Sequence, residues 1–404
     1  MSIATLYLHM KKAYVLLLML TLFSVSCIKG NPSDIPTEGE TNPPSTIKLS
    51  MVDKNATTQT KALYSQLWAI QSKGFMFGHH DDLWYGRKWY NKPEGSDTKD
   101  VCGDYPAVFG VDFAEIMDDR CLTSTSQAEN AIRKRCILEA RSRGEVILAC
   151  CHLNNPLTDG DAWDNSNNKV VKEILTEGSA TNIRFKTWLD RLAIFAAELK
   201  DDKGNLIPII FRPFHEHTQT WSWWGQSCTT KEEFIGLWKF TVNYLRDTKG
   251  VHQFIYAISP QMDVPKTKDD FLFRWPGDDY VDFIGMDCYH GLNPSTFTTN
   301  LNAISTVSKE KMKPCGVTET GVEGFKDSDY WTKQILTPAT GQAVSMIVMW
   351  RNKYDPQETG THYYSVFQGH PSVSNFIKMY NSPISLFSKD LPDMYKMADG
   401  ITIN

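Results

Sequence analysis

The sequence predicts a single (β/α)8 barrel of the TIM type, and three observations carry that expectation. Eight short apolar runs alternate with longer segments of helical period between residues 74 and 350. Nearly every run ends in a side chain able to titrate, hydrogen-bond or stack. No GxGxxG follows the first run, which disfavours the other alternating architecture, an open doubly wound sheet. A chain of 404 residues is long for an ordinary domain but suits a barrel with insertions.

The N-terminus is set apart from this pattern. Lys11 and Lys12 precede an apolar run from Ala13 to Val25 that is short for a transmembrane span. The small residues of Ser24-Val25-Ser26-Cys27 resemble a bacterial lipoprotein signal, in which Cys27 is cut free and lipidated, although Ser24 stands where Leu is usual. Met10 opens a more typical signal than Met1, and the alternative is an ordinary cleaved signal peptide. Either reading places the protein outside the cytoplasm, and the lipoprotein reading places it in a bacterial envelope, on a membrane face the sequence leaves open. Residues 28–50, rich in Pro, Gly and acidic residues without apolar period, are expected as a flexible linker. The barrel then occupies 51–404.

Thr57 to Lys73 reads as a helix with Leu63, Leu67 and Ile70 on one face. Gly74 to Gly78 is the first strand and ends in His79-His80-Asp81-Asp82. The second strand is Pro106 to Phe113, and the third, Glu145 to His152, follows a helix from Ser126 to Arg143. A helix over 182–199 leads to the fourth strand, Leu206 to Phe211. Lys231 to Asp247 is a helix capped by Thr229 or Thr230. Strands five and six are Gln253 to Ser259 and Val281 to Tyr289. A helix from Thr298 to Glu310 precedes the seventh, Lys313 to Glu319. A helix over 330–336 precedes the eighth, Ser345 to Trp350, and a last helix is expected over 373–379.

Active sites of such barrels lie at the C-terminal ends of the strands. Those ends carry His79, His80 and Asp81; Asp112; His152; Arg212, His215, Glu216 and His217; Ser259 and Gln261; Asp287, Tyr289 and His290; Glu319; and Trp350 and Arg351. Glu216 and Glu319 are positioned to face each other across the barrel mouth. Paired carboxyls, one protonated and one ionised, are what cleavage of a glycosidic bond requires. Aromatic content of 12% with 12 Trp is more than core packing asks for and suits a sugar-binding cleft. A net charge of −5 and the lack of a basic stripe argue against nucleic acid as partner. A metallohydrolase is disfavoured because His79 and His80 are adjacent, so their side chains diverge where a barrel metal site usually begins His-x-His. No CxxC occurs, which disfavours a zinc site built on cysteine, and no metal or cofactor is expected. Cys102 and Cys121, in a loop-rich region, are candidates for a disulfide, while Cys136, Cys150, Cys151, Cys288 and Cys315 are expected as buried free thiols.

Arg212-Pro213-Phe214-His215-Glu216, followed by Trp221-Ser222-Trp223-Trp224-Gly225, resembles the acid/base segment of glycoside hydrolase family 26, the β-mannanase family of the clan A barrels. Gly316-Val317-Thr318-Glu319 resembles its nucleophile segment. Cys151-His152-Leu153-Asn154-Asn155-Pro156 and Asp282 to Tyr289 resemble its third and sixth strands. These matches follow the family's order from Phe75 to Trp350. His215, where many relatives in the clan carry Asn, is itself typical of the family.

The resemblance implies a retaining hydrolase of β-1,4-mannan with Glu216 as acid/base and Glu319 as nucleophile, their carboxyls roughly 5–5.5 Å apart. It implies that Tyr289 donates to Glu319, that Arg212 keeps Glu319 charged, and that His152 and His215 contact the sugar. Trp350 becomes a stacking floor, Trp221 a wall and Trp163 a further subsite contact. Trp84, Tyr85 and Trp89 admit two readings, lining distal subsites or packing under a long loop. Trp188 and Trp238 are expected in the core, and Asp112 is expected to hold His79 or His80. Relatives that cut mixed-linkage β-glucan or β-1,3-xylan, or that release mannobiose, leave the linkage and the endo or exo mode open. A lipid-anchored glycan-binding protein without catalysis fits the anchor and the aromatics equally well, but not the intact set of Glu216, Glu319, Arg212 and Tyr289. The expected partner is therefore a mannan, bound by a monomer tethered to a membrane.

Overall fold

The computed structural model describes residues 46–404. The expected signal segment, and the linker as far as residue 45, lie outside the described residues. Eight parallel strands form the barrel: β2 (Phe75–His80), β3 (Val108–Asp112), β4 (Val146–Cys150), β5 (Ile209–Arg212), β6 (Phe254–Ile258), β7 (Phe283–Cys288), β8 (Cys315–Thr320) and β9 (Met346–Met349). Each pairs with the next, and β9 pairs back onto β2 through Met76↔Met346 to His79↔Met349, which closes the cylinder. Every expected strand is present, within a few residues of its expected bounds.

The strands are mostly apolar up to their C-terminal ends because both faces are buried, and their period of two sorts them into two cores. Met76, Val108, Leu148, Ile210, Ile255, Phe283 and Met346 belong to the core that fills the barrel. Phe77, Phe109, Ile147, Phe211, Phe254, Ile284 and Ile347 belong to the core between barrel and helices. Gly110 lies opposite His80 on the neighbouring strand. A Cβ there would sit 2.5 Å from the His80 ring, so glycine is what admits an imidazole inside the cylinder.

Ile47–Leu49 forms a strand, β1, inside the stretch expected as linker, and pairs in parallel with β11 (Ile401–Ile403). Leu49, Met51, Met394 and Ile401 join the interior core and so close the N-terminal mouth of the barrel. This moves the start of the folded domain before residue 51. A three-residue strand shows no readable period, so only its partner defines it. A two-residue strand, β10 (Ser385–Leu386), pairs with the first residues of β2.

The helices follow expectation. Thr230, one of the two residues expected as cap, accepts from the Glu233 backbone while the Glu233 carboxylate accepts from the Thr230 N–H, a reciprocal box at the start of helix Lys231–Asn243. Trp188 and Trp238 are fully buried. Cys102 and Cys121, the candidate pair, are both free thiols. Cys102 lies in a helix, Asp97–Cys102, and donates to Thr98 O, while Cys121 lies in a separate helical turn, Asp119–Leu122. Among the described residues, no helix is long and apolar enough to cross a membrane.

Candidate active site

Arg212 ends β5 pointing into the barrel with no exposure to solvent. A buried guanidinium demands acceptors, and two carboxylates meet it: Asp287 at 2.5 Å and Glu319 at 2.7 Å. Asp287 also accepts from Ser259 Oγ at 2.7 Å and Thr318 Oγ1 at 2.8 Å. Glu319 accepts from the Tyr289 hydroxyl at 2.5 Å. The β7–β8 register shifts between Met286/Asp287, where Met286 faces Val317 but Asp287 faces Glu319. That extra residue in β8 is a bulge, a device that re-aims a side chain at a barrel rim. Burial alone would raise the Glu319 carboxyl. Burial is the largest single influence, but the Arg212 charge, His80, His152 and the Tyr289 hydrogen bond together outweigh it, and Glu319 is held below the usual carboxylate range.

Glu216 is arranged in the opposite sense. It follows β5 in a tight turn in which Phe214 (φ 52°) and Glu216 (φ 51°) both adopt the left-handed backbone region. Such conformations cost on the order of 1–3 kcal/mol each and persist only where the surroundings enforce them. Here the Glu216 N–H donates to Ser259 O at 2.7 Å, and Trp224 Nε1 donates to His215 O at 2.7 Å. The carboxyl is 7% exposed and takes one hydrogen bond, from Trp221 Nε1 at 2.6 Å. Burial first, then the negative charges of Glu319 and Asp287, push Glu216 well above the usual carboxylate range. The Trp221 bond opposes that rise. Trp221→Phe is therefore expected to move the alkaline limb of the kcat/KM profile to higher pH and to lower its maximum about tenfold. A limb that stays in place or moves down contradicts this account of the Trp221–Glu216 bond.

The histidines and indoles gather around this pair. His152 Nε2 lies 3.2 Å from His215 Nε2, and the His152 ring packs near Trp163, Trp221 and Trp350, with centroids 5.6, 6.1 and 5.6 Å away. Trp163 is 57% exposed on the rim. His80 packs against Trp350 at 4.8 Å. The cleft these residues line has a volume of about 1060 Å³ and holds all of the sugar-site candidates except the fully buried Arg212. Trp84 and Tyr85 are among the lining residues, while Trp89 hydrogen-bonds Asp97 and is not.

One assignment is corrected. Asp112 holds neither His79 nor His80 but His152, with Oδ2 2.7 Å from Nδ1. His80 pairs with Gly110 and His79 turns away from the barrel interior to Asp82, 3.0 Å away. Asp112 pairs with Cys150, which places His152 two residues further along on the same face. His217, near His215 in sequence, is buried against Phe234 at 4.2 Å and does not reach the cleft.

Two groups bring three ligand-type atoms within 4.8 Å of one another: Asp112, Cys150 and His152, and His215, Asp287 and Glu319. Neither suits a metal. Burial pushes the Cys150 thiol far up, so it is not a thiolate. In the second group the Arg212 guanidinium already occupies both carboxylates and supplies the positive charge a cation would bring.

Asp287 is the functional residue that the sequence reading named as a strand end but gave no role. Its signal was its period-two relation to Tyr289 on the sixth strand. Tyr90, Tyr354 and Tyr364, which also line the cleft, come from irregular loops that offer no period to read.

A closed β/α barrel whose strand ends keep one carboxyl protonated and another ionised in an indole-walled cleft defines a glycoside hydrolase. The sequence profile described as glycosyl hydrolase family 26 matches residues 52–357, and the chain belongs to that family. A mannan endo-1,4-beta-mannosidase of Bifidobacterium adolescentis is 31% identical over 296 residues, 69% of this chain. The chain spans only 29% of that relative's length. A mannan endo-1,4-beta-mannosidase of Bacillus subtilis strain 168 is 26% identical over 304 residues, covering 70% of this chain and 76% of the relative. The structure of a GH26 beta-mannanase from Bacteroides ovatus superposes with a TM-score of 0.78 at 36% identity, over 85% of this chain and 98% of that one.

Proposed function

We propose that this chain hydrolyses β-1,4-mannosidic bonds in mannans with retention of configuration, Glu216 serving as acid/base and Glu319 as nucleophile. The observation that carries the reading is the opposed protonation of the two carboxyls in one cleft, Glu216 raised and Glu319 lowered. Glu319 attacks the anomeric carbon as the glycosidic C–O bond breaks and the Glu216 proton passes to the leaving oxygen. Glu216, now ionised, takes a proton from water, whose oxygen attacks the anomeric carbon and releases Glu319. Arg212 and Tyr289 hold Glu319 ionised and aimed. His152 and His215 bind the sugar beside the broken bond, Trp350 stacks beneath a ring, and Trp221 and Trp163 continue the apolar wall. Mannan as substrate is supported by the names of the relatives, all three of them mannanases or mannan endo-1,4-beta-mannosidases.

The experiment is a time course of products from mannan, mixed-linkage β-glucan and β-1,3-xylan. Faster release of reducing ends from either of the latter two sinks the mannan assignment. Early appearance of long oligosaccharides marks endo action, and mannobiose alone marks the exo mode. We further propose that the enzyme works as a monomer, held to a bacterial envelope by a lipid on Cys27. Cys27→Ala is expected to move it from the membrane to the soluble fraction, and an unchanged distribution refutes the anchor.

A further inference from the structure

We propose that Asp112 is a positioning residue that fixes the proton arrangement of the His152–His215 pair, so that a sugar hydroxyl meets one donor and one acceptor of set polarity. The proposal deepens the reading of the cleft as the mannan site and rests on it. Both oxygens of Asp112 are engaged. Oδ1 accepts from the Ala114 N–H at 2.7 Å and the His152 N–H at 3.3 Å, and Oδ2 faces His152 Nδ1 at 2.7 Å. A carboxylate only accepts, so Nδ1 of His152 carries the proton. Burial would favour the protonated acid, but contact with His152, followed by the Ala114 N–H and Arg133, holds Asp112 far below the usual range.

In the neutral form of His152 the lone pair then lies at Nε2. The atom facing it, His215 Nε2, must be the donor across their 3.2 Å contact. Neutral His215 is left with a bare Nδ1. That nitrogen is buried and has no hydrogen-bond partner. An unfilled acceptor there is tolerable, whereas the other tautomer would bury an unpaired N–H, which native structures avoid more strictly. Burial, with the charge of Arg212 next, also holds the His215 ring neutral by lowering it well below its usual range. From Asp112 outward, each group dictates the proton of the next.

A hydroxyl that inserts between the rings accepts from His215 Nε2 and donates to His152 Nε2, replacing one hydrogen bond with two. Without Asp112 each imidazole has two neutral tautomers, and half of the combinations present two donors or two lone pairs. Partners that hold a histidine in this way from behind typically change activity by about 10–100-fold when removed.

The test is nitrogen NMR of histidine-labelled enzyme under mildly alkaline conditions, with kinetics on mannan. Wild type is expected to show protonated Nδ1 and bare Nε2 at His152, and the reverse at His215. Asp112→Ala is expected to put part of the His152 proton on Nε2 and to lower kcat/KM about tenfold. Asp112→Asn, whose single oxygen stays with the Ala114 and His152 backbone N–H groups, turns its NH2 toward Nδ1 and is expected to move the His152 proton to Nε2, with a loss of kcat/KM at least as large. A wild-type His152 protonated at Nε2, or an Asp112→Ala enzyme with unaltered tautomers, overturns the proposal. The wild-type spectrum decides even where Asp112→Ala does not fold. It needs no substrate, so failure of the mannan assignment shows separately, in the kinetics.

Discussion

Glu319→Ala is expected to lower kcat on mannan by on the order of 10⁴-fold or more, with little change in fold. The loss is large because, among the described residues, the one other carboxylate on Arg212 is not free to form the covalent intermediate. Asp287, the other carboxylate on Arg212, has both oxygens committed, to Arg212 on one side and to Ser259 and Thr318 on the other. The fold should survive because Arg212 keeps Asp287 as partner, so no unpaired charge is left buried. Azide offers a specific check. It fits the vacated space and attacks the anomeric carbon directly, in one displacement, so the glycosyl azide has inverted configuration. Near-normal mannan hydrolysis by the variant, or a retained azide product, removes Glu319 from the nucleophile's role.

Glu216→Ala should differ in kind. About a 10³-fold fall in kcat on mannan is expected, since positioned proton donors contribute within roughly 10²–10⁴-fold. A mannobioside with a strongly acidic leaving group needs no proton to depart. With that substrate the variant should form the glycosyl-enzyme quickly and hydrolyse it slowly, giving a burst of leaving group. Azide should then yield the retained product, because Glu319 still performs the first displacement. The pH profile supplies the sign. Wild-type kcat/KM is expected to fall toward acid as Glu319 takes a proton, and toward alkali as Glu216 loses one. Glu216→Ala should lose the alkaline limb and keep the acid one. An alkaline limb that persists unchanged assigns it to another group.

The barrel was legible because its strands are buried on both faces and read as apolar runs. Ile209–Arg212 and Phe254–Ile258 could hardly be anything else in a parallel sheet. The two glutamates were legible for a related reason: catalytic groups of this architecture sit where such runs end. The short elements were not. β1, β10 and the helix Asp97–Cys102 are too brief to establish a period, and their stability comes from partners remote in sequence. Whether Cys102 and Cys121 pair was not legible either, because two cysteines in loop-like sequence say nothing about the distance between them.

The sequence by itself determined the fold class, the strand ends that line the cleft, and which two carboxyls stand in it. Side-chain type and period set these, and both are local properties. Only the tertiary structure decided that Asp112 serves His152 rather than His80, because that depends on the β2–β3 and β3–β4 registers. Only it decided that Arg212 is shared between Asp287 and Glu319, and that a bulge in β8 turns Glu319 toward it. The protonation states follow from the same source. Glu216 and Glu319 are the same amino acid, and what separates them is the Arg212 guanidinium beside Glu319, against burial and the negative charges of Glu319 and Asp287 around Glu216.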